Sequence, residues 1–416
     1  MLERLFFELI QVAVGTRQSL TRVPTAREWG EMYEMATRQA LVGVCFVALQ
    51  RMKPSDTLEL SETLRLRWLG MAAKIQQRNL VMNGACDDVC KTLMHDGFRV
   101  CVLKGQGNMI NYPDWLRNMR TSGDIDVWVE PVEDIVVANK IDNDIEYIKY
   151  TGRRSVIEYA DIALMQHGSK PLCNFSYHHI ELNGVFDVDV ELHFRPFYFN
   201  SMIANRRLRK WVSAHAQWCV CDARLGEHVI PIPTSSFNAI YQLGHINRHL
   251  FEEGIGLRQL LDYYFVLRVL HIEQGSLADR TQSMAQLEEG KDLSVISNVE
   301  IMHQLNMFGI DKLAAAVMFV LQKVLAMPDE YLLCSPDERR GRFLLNEIMI
   351  AGNFGRYDKR IVNEHLGGLR SLHKNFLRRV KRDMRFLKFF PQETLWEPIF
   401  RVYFHFWRGL RLWRFE

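Results

Sequence analysis

Apolar residues recur at three- and four-residue steps from Thr25 to about His95, with no proline after Pro54 to interrupt them. That spacing predicts two to four helices, with Thr25 as the first N-cap. The opening stretch MLERLFFELIQVAVG carries Glu3 and Arg4 inside its apolar run and has no small-residue cleavage site, so it reads as an amphipathic helix and not as a secretory leader. At Gly97 the period changes. Val100 to Leu103 is a short apolar run of strand composition closed by Lys104 and Gly105, and DIDVWV at 124–129 is a second such run. Pro131 then predicts a new helix with Glu133 and Asp134 in its first turn, where the helix dipole favours negative charge. Two alternating segments flank Asn183–Gly184 in YHHIELNGVFDVDVELHFRP and predict a hairpin. Near 200–235, VIPIPTS breaks regular structure. From Thr234 the reading is helical almost to the end. The pattern predicts an α+β protein: an N-terminal helical region (1–84), a small mixed-sheet core (85–200) and a larger C-terminal helical region (201–416).

Composition leaves that picture standing: 48% hydrophobic and 24% charged residues exclude a disordered or fibrous chain. Charge adds an asymmetry. Residues 370–416 hold 12 Lys or Arg against 4 Asp or Glu, a local +8 in a chain whose net charge is +3. Phe386, Phe389, Phe390, Trp396, Phe400, Trp407 and Trp413 are interleaved among those cations. Such a tail can contact RNA, by stacking bases and binding phosphates, or lie on an anionic membrane surface. The plainer expectation is amphipathic helices that pack their aromatics inward and leave the charges wet. The eight cysteines do not form paired C-x-x-C knuckles, Cys86 with Cys90 and Cys219 with Cys221 being the closest pairs, so reduced thiols in a cytoplasm are expected. LAAAVMFVLQKVLAM is interrupted and shorter than the ~18 apolar residues of a spanning helix.

The chemistry concentrates in MRTSGDIDVWVEP, residues 119–131. Residues two apart in a strand point to one face, roughly 6.5 Å apart along the backbone. Asp124 and Asp126 therefore aim two carboxylates into one volume, where they repel unless a cation lies between them. Mg²⁺ (or Mn²⁺) suits such oxygen donors together with substrate phosphates. A third carboxylate would allow two metals about 3.5–4 Å apart, the usual arrangement for phosphoryl displacement. By alternation Asp187, Asp189, Glu191 and His193 share a face of the later strand. Glu191 or Asp189 is favoured as the third acid because Asp187 lies nearest the turn, and His193 would orient a carboxylate or touch the nucleotide. Upstream, Lys104-Gly105-Gln106-Gly107 ends a strand with small residues that let backbone amides approach a phosphate.

The order VLKG, R..SGDIDVWV, HHIEL, VELHFRP and HINRHLFEEGIGLRQLLDYYFVL resembles the uncharacterised nucleotidyltransferases of the polymerase β-like superfamily, over roughly residues 30–415. Its members often occur in bacterial polysaccharide gene neighbourhoods. The resemblance implies that residues 85–200 are a nucleotidyltransferase core and that the reaction is Mg-dependent transfer of NMP from an NTP such as ATP to an acceptor. It implies Asp124 and Asp126 as metal ligands, with Glu191 or Asp189 as the third acid. Lys104 and Gly105 stand where many superfamily members have Gly-Ser in the phosphate-binding turn.

Further residues are weighed beside these. Arg120 and Ser122 could steady a triphosphate. His178 and His179 suit hairpin packing, one of them facing the acids. His245 and His249 have zinc-helix spacing without the glutamate of H-E-x-x-H, which leaves nucleotide or acceptor contact for His245. Arg258 could reach a phosphate or pair with Asp262 one turn on. Three readings of the whole compete: a sugar or small-molecule acceptor, an RNA acceptor such as a tRNA end in a toxin-like enzyme, and a catalytically silent scaffold.

Overall fold

The computed structural model describes residues 2–132, 135–141, 144–150, 153–168, 175–216, 219–283, 295–361 and 369–413. The helical opening comprises α1 (Leu2–Val14), α2 (Ala26–Arg38), α3 (Val42–Arg51) and α4 (Glu62–His95). Thr25 and Glu28 form a reciprocal capping box at the start of α2, and Gly97, with φ +89°, lets the chain leave α4. α1 is buried along its whole second half and beyond, from Leu5 to Val14. It is a core helix, wider in its apolar coverage than the amphipathic reading expected.

The sheet follows. β1 (Phe98–Val102) leads through α5 (Gln106–Met109) and α6 (Asp114–Arg117) to β2 (Ile125–Pro131). β3 (Ile135–Ile141) and β4 (Asp144–Tyr150) form a separate antiparallel hairpin. No helix opens at Pro131, because Ile135, Val136 and Val137 are consecutive β-branched residues that favour extended chain; Glu133 and Asp134 lie outside the described residues. After α7 (Arg153–Gln166) come β5 (His179–Glu181) and β6 (Val190–His193). The four-stranded sheet has the order β1-β2-β6-β5, with β2 and β6 parallel and the outer pairs antiparallel. Gly184 takes the positive φ of a turn at +80°. The strands resume pairing only at Val190, so Asp187 lies in a bend outside the strand.

α8 (Met202–His215) precedes β7 (Val220–Leu225) and β8 (His228–Pro233), an antiparallel hairpin that the sequence pattern missed. VIPIP is its second strand: Pro231 and Pro233 fit there because β8 pairs on one side only. Leu225, Ile230 and Ile232 join Met82, Cys86 and Val89 of α4 and Val100 and Val102 of β1 in one core. The remaining helices are α9 (Ser235–Glu252), α10 (Leu257–Ser283), α11 (Asn298–Phe308), α12 (Asp311–Leu325), α13 (Glu338–Ala351), α14 (Leu369–Leu387) and α15 (Pro391–Trp413). The two ends of the chain share a core. Gln11 Nε2 donates to Val324 O at 3.1 Å, and Thr16 Oγ1 donates to Leu325 O at 2.8 Å. The class is α+β, a small mixed sheet embraced by helices from both sides of the sequence.

The plainer reading of the tail holds for most of its rings. Phe386, Phe390 and Phe400 are buried, Phe389 stacks on Phe343 at 4.1 Å, and Trp407 meets Tyr177 at 5.1 Å. Phe406 stays exposed on the outer face of α15.

Candidate active site

Register places the first two acids. β2 and β6 run parallel with Asp126 opposite Glu191 and Trp128 opposite His193, and β5 brings His179 opposite His193. His193 Nε2 lies 3.0 Å from Asp126 Oδ1 and 3.3 Å from Glu191 Oε2, and His179 Nδ1 lies 3.2 Å from Glu191 Oε2. One imidazole thus bridges two carboxylates. Asp126, Glu191 and His193 hold ligand atoms within 4.8 Å of one another, as do His178, His179 and His193.

The turn after β1 supplies a cation. Leu103 N donates to Asp126 O at 2.9 Å, which lays the Lys104–Gly105 turn alongside β2. Gly105 has φ +55°, and a Cβ there would come within 3.3 Å of Asp124 O, so glycine meets both the backbone angle and the close approach. Lys104 Nζ pairs with Asp126 Oδ1, the carboxylate buried and the lysine half-buried. Lys104 therefore neutralises an acid of the site instead of extending free into the cleft.

Charge in this buried cluster is mutually held. Burial lowers the Lys104 pKa, but Asp126, Glu191 and Asp124 together raise it above its ordinary value. Burial also lowers that of His193, while hydrogen bonding to Asp126 and Glu191 carries it upward overall. Burial pushes the Glu191 carboxyl up, and the His193 hydrogen bond and Lys104 charge pull it down further, to about 2. Such a depressed carboxyl contributes stability that is complete above its ordinary value near 4.5 and is lost as pH falls through about 2. Acid titration followed by circular dichroism should show stability declining across that window, and Glu191→Gln should flatten the decline; an unchanged profile would refute the assignment.

Behind the histidines lies Arg248, which the sequence reading passed over between His245 and His249. Its guanidinium donates to His178 Nε2, and its Nε donates to Glu252 Oε2 at 3.0 Å. His178 Nε2 in turn stands 3.1 Å from His179 Nδ1. Burial, followed by the Arg248 charge for His178 and by His193 for His179, lowers both pKa values, keeping these rings neutral. His179 is the one of the pair that faces the acids, as the hairpin alternation expected.

In front of the acids opens a cleft of about 690 Å³, within the range of small-ligand sites. Asp124, Ser122, Asp189, Glu191 and Arg258 line it. Asp124, half-buried, is the last loop residue before β2, on the cleft wall and outside the tight Asp126–Glu191–His193 group. Asp189 is exposed, and its carbonyl accepts from Ile125 N at 3.0 Å. Ser122 donates to Asn79 Oδ1 and accepts from Gln106 Nε2 at 3.2 Å. Asn79 also donates to Asn118 O and Arg120 O at 2.7 and 2.8 Å, so the long α4 fixes the loop ahead of Asp124.

The arginines divide. Asp262 does not pair with Arg258 along the helix. It takes Arg120 instead, accepting from Nε at 2.7 Å and Nη2 at 2.8 Å, and from Tyr112 OH at 2.7 Å. Arg120 is buried in that pair and absent from the cleft wall. Arg258 Nη1 donates to Thr121 O at 2.9 Å, its guanidinium lies 5.2 Å from the Phe354 ring centroid, and its buried Nε has no hydrogen-bond partner among the described residues. Burial and the neighbouring Arg120 lower its pKa to about 10, so it remains a cation at neutral pH. His245 is buried against Tyr241 and His249 and does not line the cleft.

Phe354, Arg356 and Tyr357 form the far wall of the cleft. Sequence reasoning missed them. They lie about a hundred residues beyond Arg258 in a segment with no periodic signal, and Phe354 adopts φ +54°, unusual for a bulky residue.

Against known proteins, a family model described as uncharacterised nucleotidyltransferase matches residues 25–288. No curated protein and no solved structure matches the chain. The matched span runs from the α2 cap through both acid-bearing strands to the end of α10, and so contains Lys104, Asp124, Asp126, Glu191 and Arg258. The chain belongs to this uncharacterised nucleotidyltransferase family.

Proposed function

We propose that the protein transfers a nucleoside monophosphate from an NTP to an acceptor hydroxyl or phosphate, with Mg²⁺ or Mn²⁺ held by Asp126, Glu191 and Asp124. The observation that carries this reading is the parallel register that sets buried Asp126 opposite Glu191, which itself lines a cleft walled by Asp124 and Arg258. The donor set fits a hard divalent cation, because the carboxylates of Asp126 and Glu191 converge, with Asp124 on the adjoining cleft wall, where the protein's own compensation is Lys104 and one bridging imidazole. What such a cation supplies at these oxygens is charge neutralisation for phosphates.

The residues then divide the work. The acceptor oxygen forms a bond to the α-phosphorus, the bond from that phosphorus to the β-bridging oxygen breaks, and pyrophosphate leaves with the electron pair. The acceptor's proton passes to water in the open cleft. Lys104 and His193 hold Asp126 in place through contacts to its Oδ1, and Arg258, which lines the cleft, supplies positive charge for phosphate. A cytoplasmic place is part of the proposal, and no helix among the described residues is long and apolar enough to cross a membrane.

The reading is tested by calorimetric titration of each NTP, with Mg²⁺, into the protein and an Asp124→Asn/Asp126→Asn variant. Metal-dependent binding of one NTP, lost in the variant, is expected; no binding of any NTP at millimolar concentration would leave the silent scaffold as the better description. In the same titration Arg258→Gln should weaken NTP binding roughly tenfold to a hundredfold, the worth of one charge-assisted hydrogen bond. Unchanged affinity would remove Arg258 from the phosphate site.

A further inference from the structure

A second cavity, about 630 Å³, lies between the turn joining α9 to α10, the C-terminal end of α13 and the side of α14. Its cations outnumber the acids free to meet them. Glu347 and Asp358 hold Arg360 at 2.9 and 2.7 Å, and Glu347 also stands 3.5 Å from Arg385. Glu252 is engaged by Arg248 and Tyr198, and Glu253 lies 3.7 Å from His249. Arg382 is matched by Asp383 and Glu397 at 2.9 and 3.0 Å.

Arg378, Arg379 and Lys381 also line this cavity and form no ion pair among the described residues. Arg385 Nε is buried without a hydrogen-bond partner among the described residues. Partial burial and then the adjacent Arg382 push the Arg379 pKa down, with Asp383 opposing. Arg378, Lys381 and Arg385 are spaced i, i+3, i+7, so they form one row about 10 Å long on α14. A single phosphate is too small to span that row; successive phosphates, or a phosphate with its sugar, match it.

This cavity adjoins the catalytic cleft. One strap, residues 351–358, separates them: Ala351 and Asp358 line the second cavity, while Asn353, Phe354, Arg356 and Tyr357 line the first. The strap lies directly on the α9–α10 turn. A Cβ on Gly254 would come within 3.2 Å of Gly355 backbone, and one on Gly256 within 2.8 Å of Asn353 Cα.

We infer that this second cavity binds the phosphate groups of the acceptor, whose reacting group passes over the strap to meet the NTP in the catalytic cleft. The inference rests on the nucleotidyl-transfer reading. The shared chemistry is a phosphorylated acceptor, and two sources supply it, a single-stranded RNA end or a phosphosugar.

The experiment titrates a short fluorescein-labelled single-stranded RNA, and separately a hexose 1-phosphate, into the full-length protein and into Arg378→Gln/Arg379→Gln/Lys381→Gln. At least one probe should bind the unaltered protein and weaken about tenfold or more in the triple variant, with NTP binding unchanged. If RNA is the source, the dependence of log affinity on log salt should also flatten by about 2. Binding of the hexose phosphate without RNA assigns the site to a phosphosugar and equally supports the inference. Equal affinity in both proteins, or binding of neither probe at millimolar concentration, overturns it. Lys381→Glu, a change at an exposed position, serves as a second variant if the triple one fails to fold. Failure of the nucleotidyl-transfer reading shows separately, as absent NTP binding by the unaltered protein.

Discussion

Asp126→Asn is expected to slow pyrophosphate release from the bound NTP about 10³-fold, the scale of removing one preorganised charge from a phosphoryl-transfer site. The size follows from how many partners Asp126 serves. Its Oδ1 receives Lys104 and His193, its side chain faces Glu191 across the strand pair, and its backbone carbonyl anchors the Lys104 turn. Asparagine keeps the shape and loses the charge. The melting temperature should fall only modestly, because Glu191 and Asp124 still lie within the field of Lys104. A variant that retains activity within tenfold of the parent would sink the assignment. One that simply fails to fold would be replaced by Asp126→Glu, which keeps the charge and displaces it.

Asp262→Ala should be the most destabilising single change at the site. It strands the Arg120 guanidinium, whose side chain is 5% exposed, and leaves Tyr112 OH without its acceptor. Removing one partner of a buried, two-pronged pair costs about 3–5 kcal/mol, which in a chain of 416 residues lowers the melting temperature by roughly 1 °C per kcal/mol. Arg120→Met/Asp262→Leu should recover most of that loss, since neither charge then remains buried alone. Thermal denaturation of the two variants decides it: equal melting temperatures would show that the pair is not what holds this region. Activity should fall as well, because Arg120 lies in the loop that ends at Asp124 and shares Thr121 with Arg258.

Much of the site was legible because strand alternation is a short-range rule. Asp126, Glu191 and His193 meet as the period of two in DIDVWV and VELHF implies, and His179 faces them from the partner strand. The α+β outline and the inward packing of Phe386, Phe390 and Phe400 follow from equally local patterns. What local pattern does not carry is the choice between partners. Arg258 and Asp262 have good intrahelical spacing, yet Asp262 takes Arg120 from 142 positions away, a buried bidentate pair being worth more than a turn-to-turn contact. Proline misled twice in the same manner. Pro131 suggested a helix start and Pro231 a break, but both stand in strands whose β-branched neighbours and one-sided pairing accommodate them. Lys104 stands beside Asp126, and that pairing depends on the loop geometry that Gly105 permits.

The parallel pairing of β2 with β6 also has a meaning in time. Asp126 and His193 are 67 positions apart, and parallel strands cannot join through a tight turn, so the long crossover must fold back before the carboxylates meet. Arg120 then waits for a partner 142 positions away, and the far wall of the cleft arrives only with Phe354. A ribosome-bound chain that has emerged as far as β2 thus displays both aspartates but no pocket. Nucleotide capture belongs to the finished molecule, which makes NTP binding a sensitive gauge of whether synthesis and folding have run to completion.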